Sequence, residues 1–148
     1  MRMLLLTGLA LCCTSAAAEV YRCPDVYPRR DAKRPNLPLT SAFMHQGEMH
    51  GDGWITGRNE VAEEGIDTRY GFMDDEQAWL VCTYGGKKRV KGRVHDGHEW
   101  GQYMDGSERE WWLKLAPKVG VCDLQVREIK SHIPGDTAWT AVVSCTQP

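Results

Sequence analysis

Four cysteines constrain the fold of this chain more than any other feature of its sequence, namely Cys23, Cys82, Cys122 and Cys145. The other two of its six cysteines, Cys12 and Cys13, lie in an apolar run near the N-terminus. If that run is removed on export, the even number that remains predicts two disulfides, because compartments outside the cytoplasm are oxidising. Four cysteines allow three pairings, and composition alone does not choose among them. None of the four forms a CxxC pair, which argues against a structural zinc site.

The N-terminus has the three parts of a cleavable secretory signal. Arg2 supplies a positive charge, residues 3–13 form an apolar stretch, and residues 16–18 are alanines. Small residues of this kind precede signal-peptidase cuts, so we predict a signal peptide over residues 1–18 with cleavage near Ala18. The apolar stretch is shorter than the roughly 20 residues that cross a bilayer, so we predict no transmembrane segment. The protein is therefore expected in the periplasm or secreted.

Cleavage leaves 130 residues (148 minus 18), which is the size of one domain with its own core. Arg2 leaves with the signal, so 17 Lys and Arg residues (18 minus 1) face 20 Asp and Glu residues. This mildly acidic balance does not favour nucleic acid as a partner.

The remaining chain has the pattern of a β-rich protein. Aromatic and β-branched residues alternate with polar ones, and turn residues separate the runs. The predicted strands are residues 19–23, 39–44, 69–72, 78–84, 111–115, 119–129 and 137–145. We predict a mainly β fold, a small antiparallel sheet or a sandwich-like single domain over residues 19–148. It is expected to contain two disulfides and at most one short helix.

Three segments between these strands carry more specific expectations. Residues 58–64 (RNEVAEE) can form one or two helical turns that end at Gly65. Residues 87–93 follow the glycines at 85 and 86, so we expect them to form a hairpin with the strand at residues 78–84, with the new strand facing water. Residues 95–109 are polar and glycine-rich and are expected to be a long loop.

The last two strands predict one disulfide by their spacing. They flank the turn sequence at residues 133–136, and folding them about the midpoint of Ile133 and Pro134 places Cys122 opposite Cys145. A register shift of one residue would remove this facing, so the pairing is a hypothesis. It leaves Cys23 with Cys82, which would join the first strand to the central one.

Short motifs around the four cysteines resemble those of a family of small, uncharacterised, exported proteobacterial proteins. The matching features are Cys23-Pro24, a W-L-x-C-x-Y strand with Cys82 at its centre, a late Leu-Ala-Pro turn before Cys122, and the terminal Cys145. The chain departs from this pattern at residues 86–110, where its polar segment is longer. The resemblance implies export and a disulfide scaffold. It brings no known activity and no catalytic residues.

Histidines are the residues that favour a metal site. Met44-His45 and Met49-His50 lie in a glycine-rich stretch, and His95 and His98 lie in a second one. Imidazole and thioether groups suit copper, and imidazole with carboxylate suits zinc. Neither pair has the HExxH spacing of a helical zinc site. A copper or zinc site at these four histidines is therefore the alternative, and no metal or cofactor is the first prediction.

No motif favours an enzyme. The carboxylates at residues 60–64 and 74–76 are typical of solvated turns, and nothing holds two of them at a catalytic separation. No serine lies in a GxSxG sequence, and disulfide formation would remove the cysteines as nucleophiles. We therefore predict a protein without catalytic activity.

Aromatic and basic residues predict a surface for a protein partner. Of six tryptophans, Trp79, Trp112 and Trp139 are expected in the core. Trp100 and one of the pair Trp111-Trp112 are harder to bury, and exposed aromatic side chains near charge are typical anchors of recognition. The alternative, which the sequence favours slightly, is a second small hydrophobic cluster under the long loop. A basic run could face an acidic partner or merely protect a sheet edge. The predicted partner-binding residues are Trp100, Tyr103, Trp111, Lys87, Lys88 and Arg89.

Three functions compete on this basis. The first is a periplasmic or secreted binding module, an inhibitor or immunity protein that acts on a toxin or a cell-wall hydrolase. The second is a periplasmic copper- or zinc-binding protein. The third is a structural protein of the cell envelope. We expect a protein partner in the first case, and the oligomeric state does not follow from the sequence.

Overall fold

The computed structural model describes residues 18–29, 37–53, 55–73, 75–85, 109–130 and 137–147. All regular structure in these ranges is β-strand, and the strands form two antiparallel sheets. The strands are β1 (Glu19–Arg22), β2 (Leu39–Gln46), β3 (Arg58–Ala62), β4 (Gly65–Gly71), β5 (Ala78–Tyr84), β6 (Arg109–Lys114), β7 (Val121–Lys130) and β8 (Thr137–Thr146). The predicted mainly β fold is confirmed. The described part of the chain contains no helix that is long and apolar enough to span a bilayer.

The larger sheet has five strands in the order β1-β8-β7-β4-β3. Its centre is the pair β7 and β8, whose register places Cys122 opposite Cys145, as the sequence predicted. These two cysteines form a disulfide across the neighbouring strands. The pairing of β7 with β8 and the disulfide between them therefore both follow from the alternating pattern of the two strands and the turn sequence at residues 133–136.

The predicted helix at residues 58–64 is wrong. These residues form β3 and a two-residue turn, after which β4 runs back with Val61 opposite Ile66. Helical propensity is a weak preference, and here pairing with β4, itself paired with β7, outweighs it. Gly65, which suggested a helix end, instead allows β7 to approach closely. A Cβ at this position would lie 1.8 Å from the carbonyl oxygen of Val126.

The smaller sheet has three strands in the order β2-β5-β6. β5 is central, because β2 and β6 occupy its two hydrogen-bonding edges over almost its whole length. The predicted hairpin between β5 and residues 87–93 is therefore wrong, since β5 pairs with distant segments instead. Residues 87–93 themselves lie outside the described residues, as does most of the loop predicted at residues 95–109.

The core lies between the two sheets. Met44, Leu80 and Leu124 come from both sheets, and each is at most 1% exposed. The second disulfide, Cys23–Cys82, joins the residue after β1 to β5 and so links the two sheets covalently. Both predicted disulfides are thus present, and they are consistent with an oxidising compartment.

The tryptophans among the described residues divide between the core side and the outside of the smaller sheet. Trp139 is 3% exposed and belongs to the core, as predicted. Trp79 and Trp112 were expected there too, but they are half-buried and lie on the outer face of the three-stranded sheet. Alternation along β5 and β6 explains this, because their neighbours Leu80 and Leu113 point toward the core.

Candidate functional site

Residues 47–53 form a compact loop directly after β2, which we call the 47–53 loop. Its two ends are held together by a hydrogen bond from the Gln46 amide to the Gly53 carbonyl at 3.0 Å. The Gly47 amide donates to the Gln77 carbonyl at 2.8 Å, which ties the start of the loop to the start of β5. Within the loop, the Gly51 amide donates to the Glu48 carbonyl at 3.1 Å. The backbone of the loop is therefore fixed at both ends and in its middle.

Two aromatic side chains from the sheet add further ties. The Nε2 atom of His45 lies 2.9 Å from the Gly51 carbonyl oxygen. A carbonyl only accepts, so Nε2 carries the proton and donates it. The indole N–H of Trp79 donates to the Gly47 carbonyl at 2.9 Å. Since His45 is only 1% exposed, this bracing is shielded from water.

Close packing leaves no room for a side chain at Gly53. A Cβ there would lie 1.8 Å from the Gln46 carbonyl oxygen and 3.1 Å from Cε1 of His45. The loop backbone thus rests directly on β2 and on the His45 ring. Any substitution of Gly53 would push the loop away from the sheet.

The loop turns by using the left-handed region of backbone conformation twice. Gly47 has φ of 87° and His50 has φ of 61°. Glycine adopts this region without cost, whereas a residue with a Cβ pays about 1–2 kcal/mol. His50 is therefore held in a conformation that its own backbone disfavours.

The exposed residues of the loop are Glu48, Met49, His50 and Asp52. Met49 is 46% exposed, which places a flexible apolar side chain between a carboxylate and an imidazole. Together they present three different chemistries on a backbone that cannot readily rearrange.

Trp112 of β6 supports the exposed end of the loop. The centroid of its ring lies 4.9 Å from that of His45 and 4.7 Å from that of His50, both edge to face. Trp79 packs against the same ring at 6.1 Å, and Glu110 accepts the Trp112 indole N–H at 2.8 Å. The imidazole of His50 is thus docked on a tryptophan that is itself held in place.

The structure places the predicted partner-binding residues as follows. Trp111 lies on the core side of β6, half-buried, with the guanidinium of Arg29 5.6 Å from its ring centroid. The other predicted residues lie outside the described part of the chain, namely Lys87, Lys88, Arg89, Trp100 and Tyr103. No sequence motif identifies the 47–53 loop as a unit, although its closely spaced glycines are a usable signal.

The histidines predicted for a metal site are only partly placed. The rings of His45 and His50 both pack against the ring of Trp112. His95 and His98 lie outside the described residues. Among the described residues there is no group of three or more His, Cys, Asp or Glu side chains that could hold a metal ion. The copper or zinc alternative therefore gains no support from the geometry around His45.

A braced loop of this kind can recognise a surface, because its shape exists before the partner arrives and little conformational entropy is lost on binding. The disulfide-linked sheets beneath it supply a rigid base. Comparison of the chain with protein-family models, curated proteins and solved structures found no match.

Proposed function

We propose that the protein is a non-enzymatic binding module of the periplasm or of the secreted fraction, which reaches that compartment after cleavage near Ala18. In this proposal it acts as an inhibitor or immunity protein against a toxin or a cell-wall hydrolase, and the 47–53 loop is the part that contacts the target. The observation that carries the proposal is the bracing of this loop by backbone and side-chain hydrogen bonds.

The chemistry of the loop tip suits insertion into a cleft of a target protein. Met49 can adapt its shape to an apolar pocket. His50 can donate or accept hydrogen bonds at the rim of that pocket. Because His50 keeps its disfavoured backbone conformation, we infer that its side chain has a role that glycine could not fill.

The test is capture of the target by the immobilised mature protein, residues 19–148 with both disulfides formed, from periplasmic extract. We expect one protein to be retained at near-equal stoichiometry. A Met49→Ser/His50→Gly variant should bind it at least 30-fold more weakly, which corresponds to the loss of about 2 kcal/mol expected at an interface hot spot. The two substitutions keep the loop backbone, since glycine accepts the conformation of His50.

Met73→Ser is the matched control, because Met73 is also an exposed methionine and lies outside the loop, after β4. This variant should retain the target as the unaltered protein does. Melting temperatures of all three proteins should agree within about 5 °C, so that weak binding is not confused with unfolding. Absence of a stoichiometric partner, or equal capture by the loop variant, would refute the proposal.

A further inference from the structure

The outer face of the five-stranded sheet carries a charged groove on the side of the molecule opposite the 47–53 loop. The groove has a volume of about 260 Å³ and is open to solvent. It lies over β3, β4 and β7. Its lining residues are Arg58, Glu60, Asp67, Thr68, Arg69, Asp123 and Gln125.

The charges of the β3–β4 hairpin are paired in an unusual way. In the observed register, Arg58 stands directly opposite Arg69, and Glu60 stands directly opposite Asp67. Like charges at facing positions destabilise a sheet. Exchanging Arg58 and Glu60 would place opposite charges across both positions, and nothing in the packing prevents it, since these side chains are 84% and 71% exposed.

Neighbouring residues neutralise these charges only in part. Arg69 lies 3.7 Å from Asp123, and Arg127 contacts Asp67. Arg58 and Glu60 approach each other at 3.9 Å, but a pair this exposed interacts weakly. The hairpin face therefore has a positive end and a negative end, separated by about 7 Å along the strands.

Such a face is complementary to itself. Two copies can be placed with these faces together, related by a two-fold axis that is parallel to the sheets and perpendicular to the strands. In this arrangement β3 of one copy lies over β3 of the other, and β4 lies over β4. The positive end of each copy then lies over the negative end of the other. Each arginine then faces a carboxylate of the other copy. The interface is isologous and closed, which is the commonest form of homodimer symmetry.

We propose that this charged face binds the same face of a second copy of the chain, with Arg58 against the partner's Glu60 and Arg69 against the partner's Asp67. The arrangement explains why like charges face each other within one chain, since their complement is supplied by the second chain. It does not depend on the proposed function of the loop. The dimer would carry its two 47–53 loops on opposite outer sides, so a target with several copies could be bound through both loops.

Charge pairs of this kind respond to salt, because the screening length falls from about 10 Å at 0.1 M to about 3 Å at 1 M ionic strength. Sedimentation velocity of the mature, oxidised protein over a range of concentrations should show a monomer–dimer equilibrium in 50 mM NaCl. In 1 M NaCl we expect the dissociation constant to rise at least 10-fold. A monomer at every concentration in low salt would overturn the proposal, whether or not the loop binds a target.

Charge reversals test the geometry. Arg58→Glu and Glu60→Arg should each raise the dissociation constant at least 10-fold, because each places like charges face to face across the two-fold axis. The double variant Arg58→Glu/Glu60→Arg restores opposite charges where β3 of one copy faces β3 of the other, but it also pairs opposite charges within each hairpin. Its dissociation constant should therefore fall below that of both single variants without returning to the original value. Lys114→Glu changes the net charge by the same amount and sign as Arg58→Glu, but on the exposed side of the other sheet, and it should leave association unchanged. Equal weakening by this control, or no rescue in the double variant, would exclude the proposed face.

Discussion

Removal of the two disulfides, one at a time, measures how far chain entropy stabilises this fold. The Cys23–Cys82 bridge closes a sequence separation of 59 residues, and the Cys122–Cys145 bridge closes one of 23. Loop-closure entropy predicts contributions of about 4 kcal/mol for the first and about 3 kcal/mol for the second. All four cysteines are at most 2% exposed, so replacing either pair by alanine removes similarly buried sulfur atoms. The difference between the two double variants therefore reports mainly the difference in loop length.

The assay is urea unfolding of the mature protein and of the Cys23→Ala/Cys82→Ala and Cys122→Ala/Cys145→Ala variants, followed by tryptophan fluorescence. The free energy of unfolding is obtained by linear extrapolation. We expect the first variant to be the less stable by about 1 kcal/mol and to melt about 15 °C below the unaltered protein. The order is the critical result. If loss of the Cys122–Cys145 bridge is the more costly, or if the first variant loses under 1 kcal/mol, the entropic argument fails for this protein.

Three further changes test individual contacts. Lys118 is exposed and has φ of 61°, a conformation that glycine adopts more easily than a residue with a Cβ. Lys118→Gly should therefore raise the free energy of unfolding by about 1 kcal/mol, and Lys118→Ala should not. Equal effects of the two substitutions in urea titrations would contradict this. Burial raises the pKa of Tyr70 from 10.0 to about 12, so the unfolded chain loses this proton first and the free energy of unfolding falls by about 2 kcal/mol between pH 10 and pH 12. Urea titrations at several pH values should show a shallower fall for Tyr70→Phe, and identical slopes would refute the assignment. The hydroxyl of Tyr84, a fully buried residue, donates to the Pro24 carbonyl at 2.8 Å. Tyr84→Phe should therefore lower the free energy of unfolding by about 1–2 kcal/mol in the same assay. An unchanged free energy of unfolding would show that this hydrogen bond does not stabilise the fold.

Strands with a strong alternating pattern were predictable from the sequence, and β5, β7 and β8 show why. β5 is rich in aromatic and β-branched residues, and β7 and β8 have apolar residues at alternate positions; both patterns favour an extended backbone. The turn sequence at residues 133–136 also predicted the register, because two alternating runs that flank turn residues are expected to pair along their length, and the observed pairing of β7 with β8 confirms it. The facing of Cys122 and Cys145 followed from that register.

Residues 58–64 show the limit of such reasoning. Their composition suits a helix as well as a strand, and the pairing of β3 with β4 decided between them. Gly65 carried the same ambiguity, because a glycine ends helices and also permits close approach of a neighbouring strand. Only the position of β7 distinguishes the two roles.

The candidate site was predictable in its parts but not in its assembly. His45 and His50 were singled out by their chemistry as alternative metal ligands, whereas Trp112 was expected in the core. Their meeting around one ring depends on β2 and β6 lying on either side of β5. The sequence contains no local signal for that neighbourhood, since β2 and β6 are far apart along the chain.

By itself, the sequence determined the class of the fold and the existence of most strands, and it predicted the two cysteine pairings as a hypothesis that the structure confirms. These properties depend on side-chain alternation, turn residues and an even cysteine count, all of which are local or countable. The tertiary structure alone decided which strands are neighbours, which face of the smaller sheet carries Trp79 and Trp112, and how the 47–53 loop is braced. The physical reason is that backbone N–H and C=O groups are the same in every strand. The choice of partner therefore depends on how the buried faces of distant segments pack together.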